Sequence, residues 1–199
     1  MDKKIFCVSL LGTPPAKAIA TYIDDQLVVV AVDPIKGAFG TWKKTLLKEI
    51  KTKFDDGYSI LVEERGDMFS EWGQKLLLEA ADPTERRANM SIAFDHYFTL
   101  SRMGRLVLNK GLERHLIQES HVNIVPDDNG RNKYDIDHNN FNGFKRCLLL
   151  CSLSASHMHQ TTDQYLDEFF SEINVVHEEP AFSTLRRITI ERDRGMYED

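Results

Sequence analysis

Three short segments of strand character fill the first 34 residues, joined by links too short to hold a crossover. Ile5-Phe6-Cys7-Val8-Ser9-Leu10-Leu11 has the composition of a buried strand and stops at Gly12 and Thr13-Pro14-Pro15. Residues 18–23 make a second strand, Asp24-Asp25 marks a tight reversal, and the valine-rich run 26–32 makes a third. Strands in such close succession pair antiparallel, so the chain opens with a meander. The rest of the fold has to be added to that sheet.

Asp33-Pro34 and Gly37 break the strand pattern, and Thr41 suits the N-cap of a helix running to about Phe54. Trp42, Leu46, Leu47, Ile50 and Phe54 form its apolar stripe, and five lysines occupy other positions. Residues 58–62 have the character of a fully buried strand, which finishes on Glu63-Glu64-Arg65. The spacing then predicts a helix from Ser70 to about Ala81 and a longer one from Thr84 to about Met103. A short strand at residues 122–125 follows. Phe141, Phe144, Cys147, Leu148 and Cys151 recur at helical spacing, which predicts a last strong helix over about 139–154.

The order β-β-β-α-β-α-β-α implies an α/β fold. Its mixed five-stranded sheet combines an antiparallel meander with parallel crossover strands, and helices cover both faces. From His157 the texture changes to a helical pattern over 162–173 and an arginine-bearing tail. The predicted organisation is an α/β domain over 1–156 and a helical C-terminal extension over 157–199.

Composition narrows the function classes. With 42% hydrophobic residues, 6 Pro and 11 Gly in 199 residues, the chain has enough apolar material for a core and is not of the disordered class. A net charge of −6 argues against a generally basic nucleic-acid coat, although a local basic face is compatible with it. The longest apolar run, residues 27–32, is far too short to span a bilayer, so no membrane role is expected. Cys7, Cys147 and Cys151 are odd in number and lack zinc-ligand spacing, which suits small buried hydrophobes in a reducing compartment. Lys3-Lys4 before an apolar run has the outline of a secretion signal, but a strand ending in a turn accounts for the same residues. The expected location is the cytoplasm.

Two carboxylate-bearing stretches stand out. Ile60-Leu61-Val62-Glu63-Glu64 places acids at a strand end, and Asp135-Ile136-Asp137-His138-Asn139-Asn140 precedes the last helix. Together with the element order, these residues resemble the ribonuclease H-like superfamily, in particular phage terminase nuclease domains and RuvC-type resolvases. The resemblance covers about residues 4–156. It implies that carboxylates from the first strand, the end of the fourth strand and the start of the last helix hold divalent metal. Two such ions activate water and stabilise the leaving oxygen of a phosphodiester. Mg2+ or Mn2+ is the implied cofactor, because these ions favour hard oxygen ligands.

In these terms Glu63 or Glu64 matches the strand-end ligand, and alternation allows only one of them to point at a given site. Asp137 and His138 match the terminase pattern Asp-His-x-Asp, with Asn140 where a second aspartate is usual and Asp135 placed to assist. Ser9 stands where the family has its first-strand aspartate. Asp33 is a substitute two strands over, about 10 Å away at ordinary strand spacing. The plainer reading makes Glu63-Glu64 a solvated strand end beside Arg65, and Asp137 or Asn139 a helix cap.

Two functions therefore stand side by side. One is a metal-dependent nuclease, phage-encoded and working in the host cytoplasm. The other is a catalytically inactive module of the same fold that binds protein or regulates. Lys44, Lys48 and Lys51 recur at spacings of four and three, so they project together as candidate nucleic-acid contacts or as an ordinary solvated face. The C-terminal extension is the candidate surface for a protein partner. His157-x-His159 lacks a third ligand nearby, and Gly37-Ala38-Phe39-Gly40 lacks the Gly-Lys-Ser/Thr ending of a phosphate loop.

Overall fold

The computed structural model describes residues 2–156 apart from 38, 70, 84, 127–129 and 137–140; of Phe39 and Asp135 it describes the backbone alone. The three opening strands form as expected: β1 (Lys3–Ser9), β2 (Ala16–Ile23) and β3 (Gln26–Pro34). β1 pairs antiparallel with β2, and β2 antiparallel with β3. Helix α1 (Phe39–Asp55) follows, starting two residues before Thr41, and returns the chain to β4 (Ser59–Glu63), parallel to β1.

Beyond β4 the structure departs from the helical expectation for residues 70–81. The segment carries β5 (Gln74–Leu76), which pairs parallel with β4. An open strand edge outweighs helical spacing here, because β4 otherwise leaves its backbone groups unpaired. Gly73 permits the approach, since a Cβ there would stand 2.6 Å from Ile60 Cγ2. Helix α2 (Asn89–Arg102) is shorter than expected, and the proposed cap at Thr84 lies outside the described residues. β6 (Leu106–Leu108) then pairs parallel with β3.

Among the described residues the main sheet has the order β5-β4-β1-β2-β3-β6, six strands where five were expected. The expected strand at 122–125 does form, as β7 (Val122–Pro126), but among the described residues it pairs with β8 (Asn132–Ile136) in a separate hairpin and not with the main sheet. Within the main sheet β2 alone runs against the others. That arrangement, with helices on both faces, is the mixed α/β architecture expected from the element order. The last helix, α3, occupies 143–156, four residues later than the spacing predicted. Asn142 is its N-cap: Lys145 N donates to Asn142 Oδ1 at 3.1 Å. The expected extension over 157–199 lies outside the described residues.

Alternation along the strands separates two cores. Ile5, Cys7 and Leu61 face α2 and α3, packing with Ala93, Phe94, Tyr97, Leu148 and Cys151. Phe6, Val8, Ile60 and Val62 face α1, packing with Leu46, Ile50 and Phe69. All three cysteines are buried and free. Cys7 and Cys147 have thiols pushed above their ordinary range, by burial first and by neighbouring thiols second. Among the described residues, no helix is long and apolar enough to cross a membrane.

Candidate functional site

β1 and β4 run in parallel register, with Ser9 opposite Glu63 at their carboxyl ends. Both residues follow the alternation of Cys7 and Leu61, so both point to the α3 side of the sheet. Glu63 is wholly buried. Ser9 Oγ donates to Glu63 Oε2 at 2.6 Å, and Leu78 N donates to Oε1 at 3.3 Å. The first-strand hydroxyl and the strand-end glutamate are therefore in direct contact.

The third group in the site lies outside both carboxylate-bearing stretches. Arg146, on the first turn of α3, is 4% exposed and points into this place. Its Nε donates to Glu63 Oε2 at 2.8 Å and its Nη2 to Glu63 Oε1 at 2.5 Å. The pair is bidentate, and Nη2 reaches on to Glu79 Oε1 at 2.6 Å. Burial alone would lower the guanidinium's pKa. Hydrogen bonds and attraction from Glu63, then from Glu79, outweigh that effect and hold it above its ordinary value.

Close backbone packing fixes where Arg146 sits. A Cβ on Gly12 would lie 2.2 Å from Gly143 Cα, and one on Gly143 would lie 2.2 Å from Pro14 O. These two glycines let the start of α3 rest directly on the turn after β1, which carries Arg146 over the Ser9–Glu63 pair. A lone arginine among Phe144, Cys147, Leu148, Leu149 and Leu150 was the available cue, because a fully buried arginine requires a buried acid.

The remaining predicted ligands do not gather here. Glu64 is buried on the opposite, α1-facing side, where its Oε1 accepts from Phe69 N at 3.0 Å and closes the loop after β4. Among the described residues its Oε2 has no hydrogen-bond partner. The backbone of Asp135 belongs to β8, paired with Asn123. Asp137, His138, Asn139 and Asn140 lie outside the described residues, as do His157 and His159. Asp33 is in β3, paired with Lys17 of β2 and thus two strands from Ser9. Lys44, Lys48 and Lys51 are exposed on α1, as their spacing predicted.

A divalent cation does not fit the described residues of this site. Such an ion needs several free oxygen ligands with surplus negative charge. Here both oxygens of Glu63 are engaged, and the Arg146 guanidinium already supplies the positive charge. Among the described residues there is no group of three or more His, Cys, Asp or Glu able to hold a metal ion.

Neither a protein-family model nor a curated protein matches the chain. Among solved structures, the chain is similar to the large terminase nuclease from thermophilic phage G20c, with 12% identity over 77% of this chain and 82% of that one, at a TM-score of 0.47. The same nuclease with bound magnesium gives 12% identity over 76% and 81% of the two chains, at 0.46. With bound cobalt it gives 13% identity over 77% and 81%, at 0.45.

Proposed function

We infer that this chain is a catalytically silent ribonuclease H-like module, which acts by binding and not by cleaving phosphodiesters. One observation carries the reading: the carboxylate that such a nuclease would use for metal, Glu63, is buried and bidentately paired with Arg146. Two-metal hydrolysis depends on free carboxylates that tolerate cations roughly 3.5–4 Å apart. A guanidinium in that place contributes positive charge without a Lewis acid or a bound water. Ser9 in place of an aspartate removes one more negative charge from the same spot.

One observation favours the metal-dependent nuclease instead. Glu63 Oε1 and Glu79 Oε1 converge on a single nitrogen at 2.5 and 2.6 Å, so without Arg146 they would bracket one cation. That reading further needs Asp137, and Asn140 as a neutral ligand, to complete the set.

Manganese titration by calorimetry, with cleavage assays on single- and double-stranded DNA and RNA, separates the two. The expected result is no saturable heat at millimolar manganese and no cleavage. Saturable binding by the wild type that is lost in Asp137→Ala, together with manganese-dependent cleavage, would overturn the silent-module reading.

A further inference from the structure

The face of α1 that turns away from the sheet is not the simple lysine stripe that spacing predicted. Lys44, Leu47, Lys48, Lys51 and Phe54 share it, and all are exposed. Phe54 leaves half of its surface in solvent, which is costly for a large aromatic ring. Trp72, ahead of β5, stands beside it with ring centroids 6.0 Å apart and planes at 75°. Lys51 Nζ lies 5.3 Å from the centre of the Trp72 ring. Just beyond, Lys53 and Lys4 lie 4.5 and 5.5 Å from the Tyr58 ring centre.

Three lysines thus lead along about 15 Å of helix to a pair of aromatic rings at its end, given a rise of 1.5 Å per residue over Lys44 to Phe54. Asp55, Asp56 and Glu71 border the aromatic end, so the positive field is strongest toward Lys44 and Lys48. The aromatic end also lies at the opposite end of the strands from Ser9 and Glu63. Tyr58 and Lys4 stand at the start of β4 and β1, whereas Ser9 and Glu63 close those strands.

We propose that this face binds single-stranded nucleic acid, with Lys44, Lys48 and Lys51 on successive phosphates and Phe54 and Trp72 stacking on bases. Both components have independent physical reasons. Phosphates draw lysines through counterion release, and base faces stack on aromatic side chains without regard to sequence. A duplex keeps its bases stacked internally, so it would use the lysines alone. The inference is independent of whether Glu63 takes part in catalysis, because Glu63 points to the α3 side of the sheet whereas α1 packs on the other side.

The test uses the full 199-residue chain and a short fluorescently labelled oligothymidylate, read by anisotropy across a salt series. Three phosphate contacts predict a slope of about −2 in log K against log salt, and Lys44→Ala with Lys48→Ala flattens it by about 1.4. Phe54→Ala, at an exposed position, weakens binding about fivefold or more, the equivalent of losing one stacked base. Its salt slope stays unchanged. An abasic oligonucleotide of equal length loses both stacks, so it binds the wild type more weakly than oligothymidylate binds Phe54→Ala.

Absence of binding at low salt overturns the proposal. So does equal affinity for the abasic strand or for polyglutamate, since either result reduces the face to a generic polyanion or acidic-protein surface. Manganese titration is a separate measurement, so failure of this proposal and failure of the silent-module reading are told apart.

Discussion

Arg146 and Glu63, 83 residues apart in the chain, form a bidentate ion pair within the protein, with side chains 5% and 0% exposed. The pair ties the start of α3 to the end of β4, and Ser9 ties the same carboxylate to β1. Buried pairs of this kind are asymmetric in energy. Desolvation offsets much of their attraction, yet removing one partner strands a charge in the interior.

Arg146→Met should therefore lower unfolding stability by about 3–5 kcal/mol. Adding Glu63→Leu should recover most of that loss, because no buried charge is then left alone. Urea midpoints of the two single variants and the double variant form the cycle that checks this. A double variant whose loss equals the sum of the single losses would contradict the coupling.

Gly143→Ala should destabilise by at least the about 1–3 kcal/mol typical of an overpacked site, since its Cβ would meet Pro14 O at 2.2 Å. The backbone on both sides must move, and with it the seat of Arg146. Gly40→Ala is the contrasting case, because nothing stands within 4 Å of its Cβ position and it lies within α1. There the substitution should stabilise by about 0.5–1 kcal/mol at most. Thermal melts of the two variants should shift in opposite directions.

Tyr134 donates its hydroxyl to Asp95 Oδ1, while Arg87 Nη2 donates to Asp95 Oδ2 at 2.6 Å. Burial, and then the Asp95 carboxylate, push the Tyr134 phenol up to about 12 from an ordinary 10.0. The folded state holds this proton after the unfolded chain has released it, so the contribution is complete below pH 10 and is lost toward pH 12. Tyr134→Phe should lose less stability than wild type across that interval, measured by urea unfolding at fixed pH steps. Equal losses would show that the phenol is not the group responsible.

The three thiols should resist a thiol-specific disulfide reagent in the native state, since all are buried and Cys7 and Cys147 are held in the protonated form. In urea all 3 should react at once. Rapid native labelling of any of them would mean that the β1–α3 core opens readily.

Much of the architecture was legible in the residues because it depends on local pattern. The meander over residues 3–34, α1, β4 and the apolar stripe of α3 follow from alternation, helical spacing and turn residues, each readable within a short window. Residues 70–81 misled the same reasoning. Their spacing suits a helix, but pairing with the open edge of β4 made Gln74–Leu76 a strand. No local pattern reports which strand edge will be available. The last sheet position failed similarly: Val122–Pro126 has strand character, yet it pairs with a neighbour ten residues on instead of joining the main sheet.

By itself the sequence determined which segments bury a face and where the meander turns. Those properties are set by nearest neighbours along the chain and by the fixed periods of strand and helix. The tertiary structure alone decided what Glu63 does. Whether a buried carboxylate faces an ion, water or a guanidinium depends on a side chain 83 positions away, and two glycines at 12 and 143 bring it there. That partnership is a matter of three-dimensional packing and charge compensation, which no spacing rule along one chain encodes.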